Sequence, residues 1–119
     1  MAKKLKPVHP GEILMQDFLK PYKLSMNRLA LDLRVPITRI ADIVAERRGI
    51  TADTALRFGL YFKTSPEFWM NLQTRYDLDV AEEEELGKIE SDVRPFVVAA
   101  KPARAAFESL TFRRRASRR

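Results

Sequence analysis

Residues 25–50, SMNRLALDLRVPITRIADIVAERRGI, leave this chain few folding options. Apolar side chains recur at helical spacing through two short stretches separated by a tight turn. Leu29, Ala30, Leu33, Val35, Ile40, Ile43 and Val44 supply a core side, while Thr38, Arg39, Asp42 and Arg47 are left on the outward side. A helix, a turn and a second helix with polar and basic residues opposite its apolar stripe is how a helix-turn-helix holds a recognition helix against the major groove. DNA binding is therefore the leading expectation.

The rest of the composition narrows the alternatives. A chain of 119 residues suits one domain, or one small domain with a tail, and 45% hydrophobic residues can build a modest core. With no cysteine, disulfides and thiolate metal sites are excluded. His9 is the single histidine, so neither a His-rich metal site nor a Ser/His/Asp arrangement is expected, and no cofactor is implied. No nucleophile elbow or oriented base accompanies it, which argues against an enzyme. No run approaches the roughly 18 apolar residues of a membrane span. The basic start, MAKKLKPVHP, is followed by no apolar stretch, so a secretory signal is not expected and a cytoplasmic location is.

Charge divides the chain into separate jobs. Residues 1–19 carry +1, residues 20–63 carry +5, residues 64–92 carry −7 and residues 93–119 carry +7. The helix-turn-helix region is basic, as a phosphate-facing surface should be. The acidic stretch after it would be repelled by DNA and suits solvent or a basic partner.

The local signals predict an all-α chain with five helices over residues 10–80, a basic segment over residues 1–9, and an acidic helix extension with a basic, flexible tail over residues 81–119. Pro10 or Gly11 opens the first helix, with Glu12 near the positive end of its dipole; Ile13, Leu14, Phe18 and Leu19 form its apolar face, and Pro21 ends it. Ser25 caps the second helix, Pro36 suits the first turn of the third, and Gly49 is its expected stop. Thr51 caps a fourth helix with Asp53 in its first turn, and Ser65-Pro66-Glu67 opens a fifth. Beyond Pro95 the chain turns to Ala, Pro and Arg, too poor in apolar residues to fold alone.

Three separated motifs in order, HPGEIL (residues 9–14), the helix-turn-helix, and TADTALRFGLYFKTSPEFWMNLQTRYDL (residues 51–78), closely resemble HigA-type antitoxins of the Cro/C1-like (XRE, lambda repressor-like) helix-turn-helix group. The resemblance covers about residues 7–81. It implies a homodimer that binds an inverted-repeat operator in double-stranded DNA, represses its own operon and neutralises a HigB-like, RelE-type mRNA-cleaving toxin. The inter-helix turn of the family usually carries glycine, and this chain has Arg34 there. The tail after about residue 93 has no counterpart in the resemblance.

Within that architecture Ile37, Thr38 and Arg39 lie at the end of the third helix that enters the groove, and Asp42 lies one turn on. Arginine can offer guanine two hydrogen bonds, and Thr38 can contact a base, a thymine methyl or a phosphate. Thr38, Arg39 and Asp42 are the expected base contacts. The plainer alternatives are a solvated Arg39 and an Asp42 that orients Arg39 or Arg28. Ser25, Asn27 and Arg28, at the start of the second helix, are expected on the DNA backbone, with Arg34 in the turn and Arg47 and Arg48 after the recognition helix. Tyr61, Phe62, Phe68 and Trp69 read as core, although one could be shared with a second protomer. His9 reads as a local turn or cap. The Glu82–Glu85 run could imitate a metal site, but consecutive carboxylates diverge around a helix and suit a solvated acidic face.

RelE-type toxins are basic because they act on RNA, so the −7 segment at residues 64–92 is the expected toxin surface, with Leu78, Val80 or Leu86 supplying apolar contacts. Two rival readings stay open: an orphan transcriptional regulator without a toxin, and a protein-interaction module that uses the acidic segment. The arginine-rich tail could attract DNA, bind an acidic partner or do neither.

Overall fold

The computed structural model describes residues 6–98. The described residues divide into two units, one ending at Gly87 and one beginning at Lys88. The described residues are helical, without strands: α1 (Pro10–Ile13), which runs directly into a π-helical stretch (Leu14–Leu19), then α2 (Met26–Leu33), α3 (Ile37–Val44), α4 (Ala52–Phe62) and α5 (Pro66–Asp92). Residues 93–98 have no regular structure, and the expectations for the arginine-rich tail lie outside the described residues.

Short-range capping sets most of the boundaries. His9 precedes α1 in an extended conformation, and its Nδ1 accepts a hydrogen bond from the Gly11 amide at 2.9 Å. Ser25 Oγ accepts from the Arg28 amide at 3.0 Å, Thr51 Oγ1 from the Thr54 amide, and Ser65 Oγ from the Phe68 amide at 3.1 Å. Each satisfies an amide that the helix itself leaves without a partner. In the first helix the bond from the Lys20 N–H to the Met15 carbonyl spans five residues and widens the turn, the Leu24 N–H closes the helix end on the Leu19 carbonyl, and Leu14 and Leu19 both reach the core.

The turn between α2 and α3 is closed by Arg34 in the left-handed region, at φ 61 and ψ 48. The Val35 amide then reaches back to the Ala30 carbonyl at 3.1 Å. Arginine here costs on the order of 1 kcal/mol relative to glycine. Pro36 caps α3 from outside its first turn. The end of α3 corrects the sequence expectation: the helix stops at Val44, well before Gly49. Glu46 takes the left-handed conformation at φ 65, and the Arg47 amide bonds to the Asp42 carbonyl at 2.8 Å, closing the helix end without a glycine. Gly49 serves a different purpose. A side chain there would fall 2.7 Å from Gln73 Oε1, the oxygen that accepts the Ile50 amide.

The core joins Leu14 and Leu19 to Leu29, Ala30 and Leu33 of α2, Ile40 and Ile43 of α3, Ile50 ahead of α4, Ala55 and Phe58 of α4 and Trp69 of α5. Val35 and Val44 pack against its edge. Trp69 is fully buried among Phe18, Phe58 and Phe68, with ring centroids 4.8–5.1 Å away, and its Nε1–H reaches Thr64 Oγ1 at 2.9 Å. Every polar atom of this indole is thereby satisfied, so its burial carries no unpaired donor.

Candidate nucleic-acid interface

With about 100° of turn per residue, α3 points Ile40 and Ile43 inward and Thr38 and Asp42 outward. Thr38 is exposed at the helix start, beside an Ile37 that is 40% exposed. Arg39 sits on the flank that faces α4. Its side chain retains 26% of its exposure, and Nη1 donates to Asp53 Oδ2 at 2.6 Å. The same oxygen accepts Arg57 Nε at 2.9 Å, and Arg57 Nη1 is anchored on the Leu33 carbonyl at 2.8 Å. Hydrogen bonds from Arg57 and then Arg39 hold the Asp53 carboxyl below the usual carboxylate range.

This arrangement corrects the sequence reading of Asp42. It orients neither Arg39 nor Arg28, because its Oδ1 accepts Arg47 Nη2 at 2.9 Å. The backbone reversal at Glu46 carries Arg47 back over the helix end and brings the two together. Arg28 pairs instead with Asp32 at 3.5 Å, one turn along α2. Asp32 also accepts the Tyr61 hydroxyl at 2.6 Å, which pushes the phenol pKa up.

The remaining expected contacts lie at the ends of α2 and α3. Ser25 and Asn27 are exposed at the start of α2, with the Ser25 hydroxyl engaged as a cap. Arg34 is exposed in the turn, and Arg48 is exposed after α3. Among the described residues neither has an ion-pair partner, in contrast to Arg28, Arg39, Arg47 and Arg57. Two cationic side chains thus flank α3 without a counter-charge among the described residues. The functional candidate that sequence reasoning missed is Asp53. Its pairing with Arg57, four residues on, is a legible helix signal. Its bond to Arg39 needs the tertiary fold.

His9 is 4% exposed and packs edge-on against Tyr76, with ring centroids 4.8 Å apart. Burial lowers its pKa from 6.5, opposed by the Glu46 and Asp77 carboxylates. Of the expected core aromatics, Trp69 is buried, Tyr61 and Phe62 are half-buried, and Phe68 is 37% exposed. Among the described residues, no helix is long and apolar enough to cross a membrane.

No family model matches the chain. Individual relatives do. Virulence-associated protein I of Dichelobacter nodosus is 53% identical over 77 residues, covering 65% of this chain and 71% of that protein. The structure of the Pseudomonas aeruginosa antitoxin HigA with the higBA promoter superposes with a TM-score of 0.75 at 46% identity, over 77% of this chain and all of that one. An addiction module antidote protein of the HigA family from Coxiella burnetii superposes at 0.74, also with 46% identity, over 77% of this chain and all of its own. With three helical motifs in order, a left-handed inter-helix turn and matches of this identity and coverage, the chain belongs to the HigA family of helix-turn-helix antitoxins.

Proposed function

We propose that this chain is a non-enzymatic antitoxin that binds the operator of its own toxin–antitoxin operon as a homodimer and neutralises a HigB-like, mRNA-cleaving toxin. The observation that carries the DNA half is the surface of α3 itself. Thr38 is exposed at the helix start, Arg39 is pre-set on the flank, and Arg34 and Arg48 lie to either side without a counter-ion among the described residues. Thr38, Arg39 and Asp42 meet base edges, Asp42 with Arg47 as its partner. Ser25, Asn27, Arg28, Arg34, Arg47 and Arg48 meet the phosphate backbone. The likeness to a HigA bound to promoter DNA supports the same use of this surface. One recognition helix covers only a few base pairs, so two copies on an inverted repeat, about one helical turn apart, give useful affinity.

Toxin neutralisation belongs to α5. Leu78 and Leu86 are 50% and 41% exposed there, in the segment of net charge −7. A groove of about 430 Å³ lined by Phe68, Leu72, Arg75 and Leu78 runs along the same helix. Carboxylates speed the approach of a basic toxin and orient it, and the apolar side chains hold it. Val80 is half-buried and contributes less than the two leucines. Because α5 is a separate element from α3, toxin and DNA can be held together.

A mobility shift with DNA from upstream of its own gene, together with growth rescue against the adjacent toxin gene, tests both halves. Operator binding without rescue by any neighbouring gene selects the orphan-regulator reading. Rescue without DNA binding selects the interaction module.

A further inference from the structure

The three-residue relay behind Arg39 has a direction. The Leu33 carbonyl, at the end of α2, fixes Arg57; Arg57 fixes Asp53; and Asp53 fixes Arg39. We infer that Asp53 is a positioning residue for base recognition, holding Nη1 of Arg39 so that the Nε and Nη2 edge of the guanidinium faces a guanine in the major groove. This rests on the DNA-binding reading above.

Several observations support that assignment. Asp53 engages Arg39 through one nitrogen, and among the described residues no partner takes Nε or Nη2. The free edge therefore offers two parallel donors, the pattern that matches guanine O6 and N7. The Arg39 side chain is far more enclosed than those of Arg28 and Arg47, which keep 65% and 67% of their exposure. An arginine already held in place loses less freedom on binding, so its contact is realised more fully. A carboxylate beside DNA is otherwise a liability, since it repels phosphate. Here Arg39 and Arg57 surround it, and the trio keeps a net positive charge. Of the arginines assigned to phosphate, Arg34 and Arg48 have no ion-pair partner among the described residues, and Arg28 and Arg47 pair with a carboxylate but stay about two-thirds exposed.

The test uses the full-length protein, its operator duplex, every single base-pair substitution in one half-site, and an unrelated duplex at the same salt. Wild type, D53N, R57Q, R39A and the D53N/R39A double variant are compared. D53N is expected to weaken operator binding about three- to thirty-fold. It should flatten preference at the same base pair that R39A flattens, while affinity for unrelated DNA holds or rises. R57Q reaches the same relay from its other end and should move the same base pair in the same direction. In the R39A background D53N should add no further loss of preference. An equal loss on operator and unrelated DNA, or an unchanged preference profile in both D53N and R57Q, overturns the inference. Tighter operator binding by D53N also overturns it and makes Asp53 a competitor for Arg39. If wild type itself fails to distinguish operator from unrelated DNA, the DNA-binding reading falls and this inference with it.

Discussion

Gly11 packs so closely under the Ile43 carbonyl, at the end of the recognition helix, that a Cβ at this position would collide with that oxygen. The HPGE segment, residues 9–12, therefore does two jobs. His9 and Pro10 open α1, and the absence of a side chain at residue 11 lets α1 seat directly on α3. Gly11→Ala forces one of the two backbones to move. Overpacking of this kind costs about 1–3 kcal/mol, to be read as a lower denaturation midpoint in urea or heat. A neutral or stabilising result would mean that α1 and α3 are not in this contact.

Arg34 works against its own backbone. Arg34→Gly should stabilise the fold by about 1 kcal/mol in denaturant titration, because glycine enters the left-handed region without a Cβ penalty. If Arg34 also neutralises a phosphate, the same variant binds DNA more weakly and its salt slope falls by about one. Greater stability with unchanged DNA binding would leave Arg34 a conformational cost with no return in affinity.

The buried His9 makes stability depend on pH with a defined sign. Its pKa in the fold lies below the unfolded value of 6.5, so the unfolded chain binds more protons through this range. Stability is therefore fully present above about pH 6.5 and is lost as the pH falls through the folded pKa. Protonation also removes the Nδ1 acceptor that caps Gly11. Thermal midpoints between pH 7.5 and pH 5 should fall in the wild type. His9→Asn keeps a capping oxygen without a titrating ring, and should flatten that dependence.

The two ends of the proposed DNA surface respond differently. Arg48→Ala removes a charge with no ion-pair partner among the described residues, and should weaken all duplexes alike while lowering the salt slope by about one. Thr38→Ala acts at the exposed start of α3 and should change the order of preference among operator variants. A Thr38→Ala variant with the wild-type preference profile would remove Thr38 from the base-reading set.

The α5 surface is tested separately. Leu86→Asp combined with Glu83→Lys and Glu84→Lys changes only exposed positions. Toxin rescue in growing cells should be lost while operator binding persists. Full rescue would move the toxin surface elsewhere.

What could be read from the sequence was what short range decides. Ser25, Thr51 and Ser65 cap their helices because each hydroxyl serves an amide three residues away. Leu29, Leu33, Ile40 and Ile43 are buried because helical periodicity places them on one side. Contacts between distant residues were not legible. Gly49 looks like a helix stop, yet Glu46 ends α3 and Gly49 makes room for Gln73. Asp42 and Arg39 look like partners one turn apart, but the chain reversal gives Asp42 to Arg47, and the approach of α4 gives Arg39 to Asp53. The charge pattern suggested which stretches face DNA, and it could not say which arginines are already spoken for.

The central claim is that α3 reads DNA sequence, and Arg39→Ala against the protein's own upstream region tests it most directly. Binding is titrated on the operator and on a scrambled duplex of equal length and salt. Wild type should prefer the operator strongly. Arg39→Ala should lose about 1–3 kcal/mol on the operator, with preference relaxed at one base pair of each half-site and little change on scrambled DNA. An Arg39→Ala protein that keeps both operator affinity and base preference would contradict the assignment of α3 as the recognition helix.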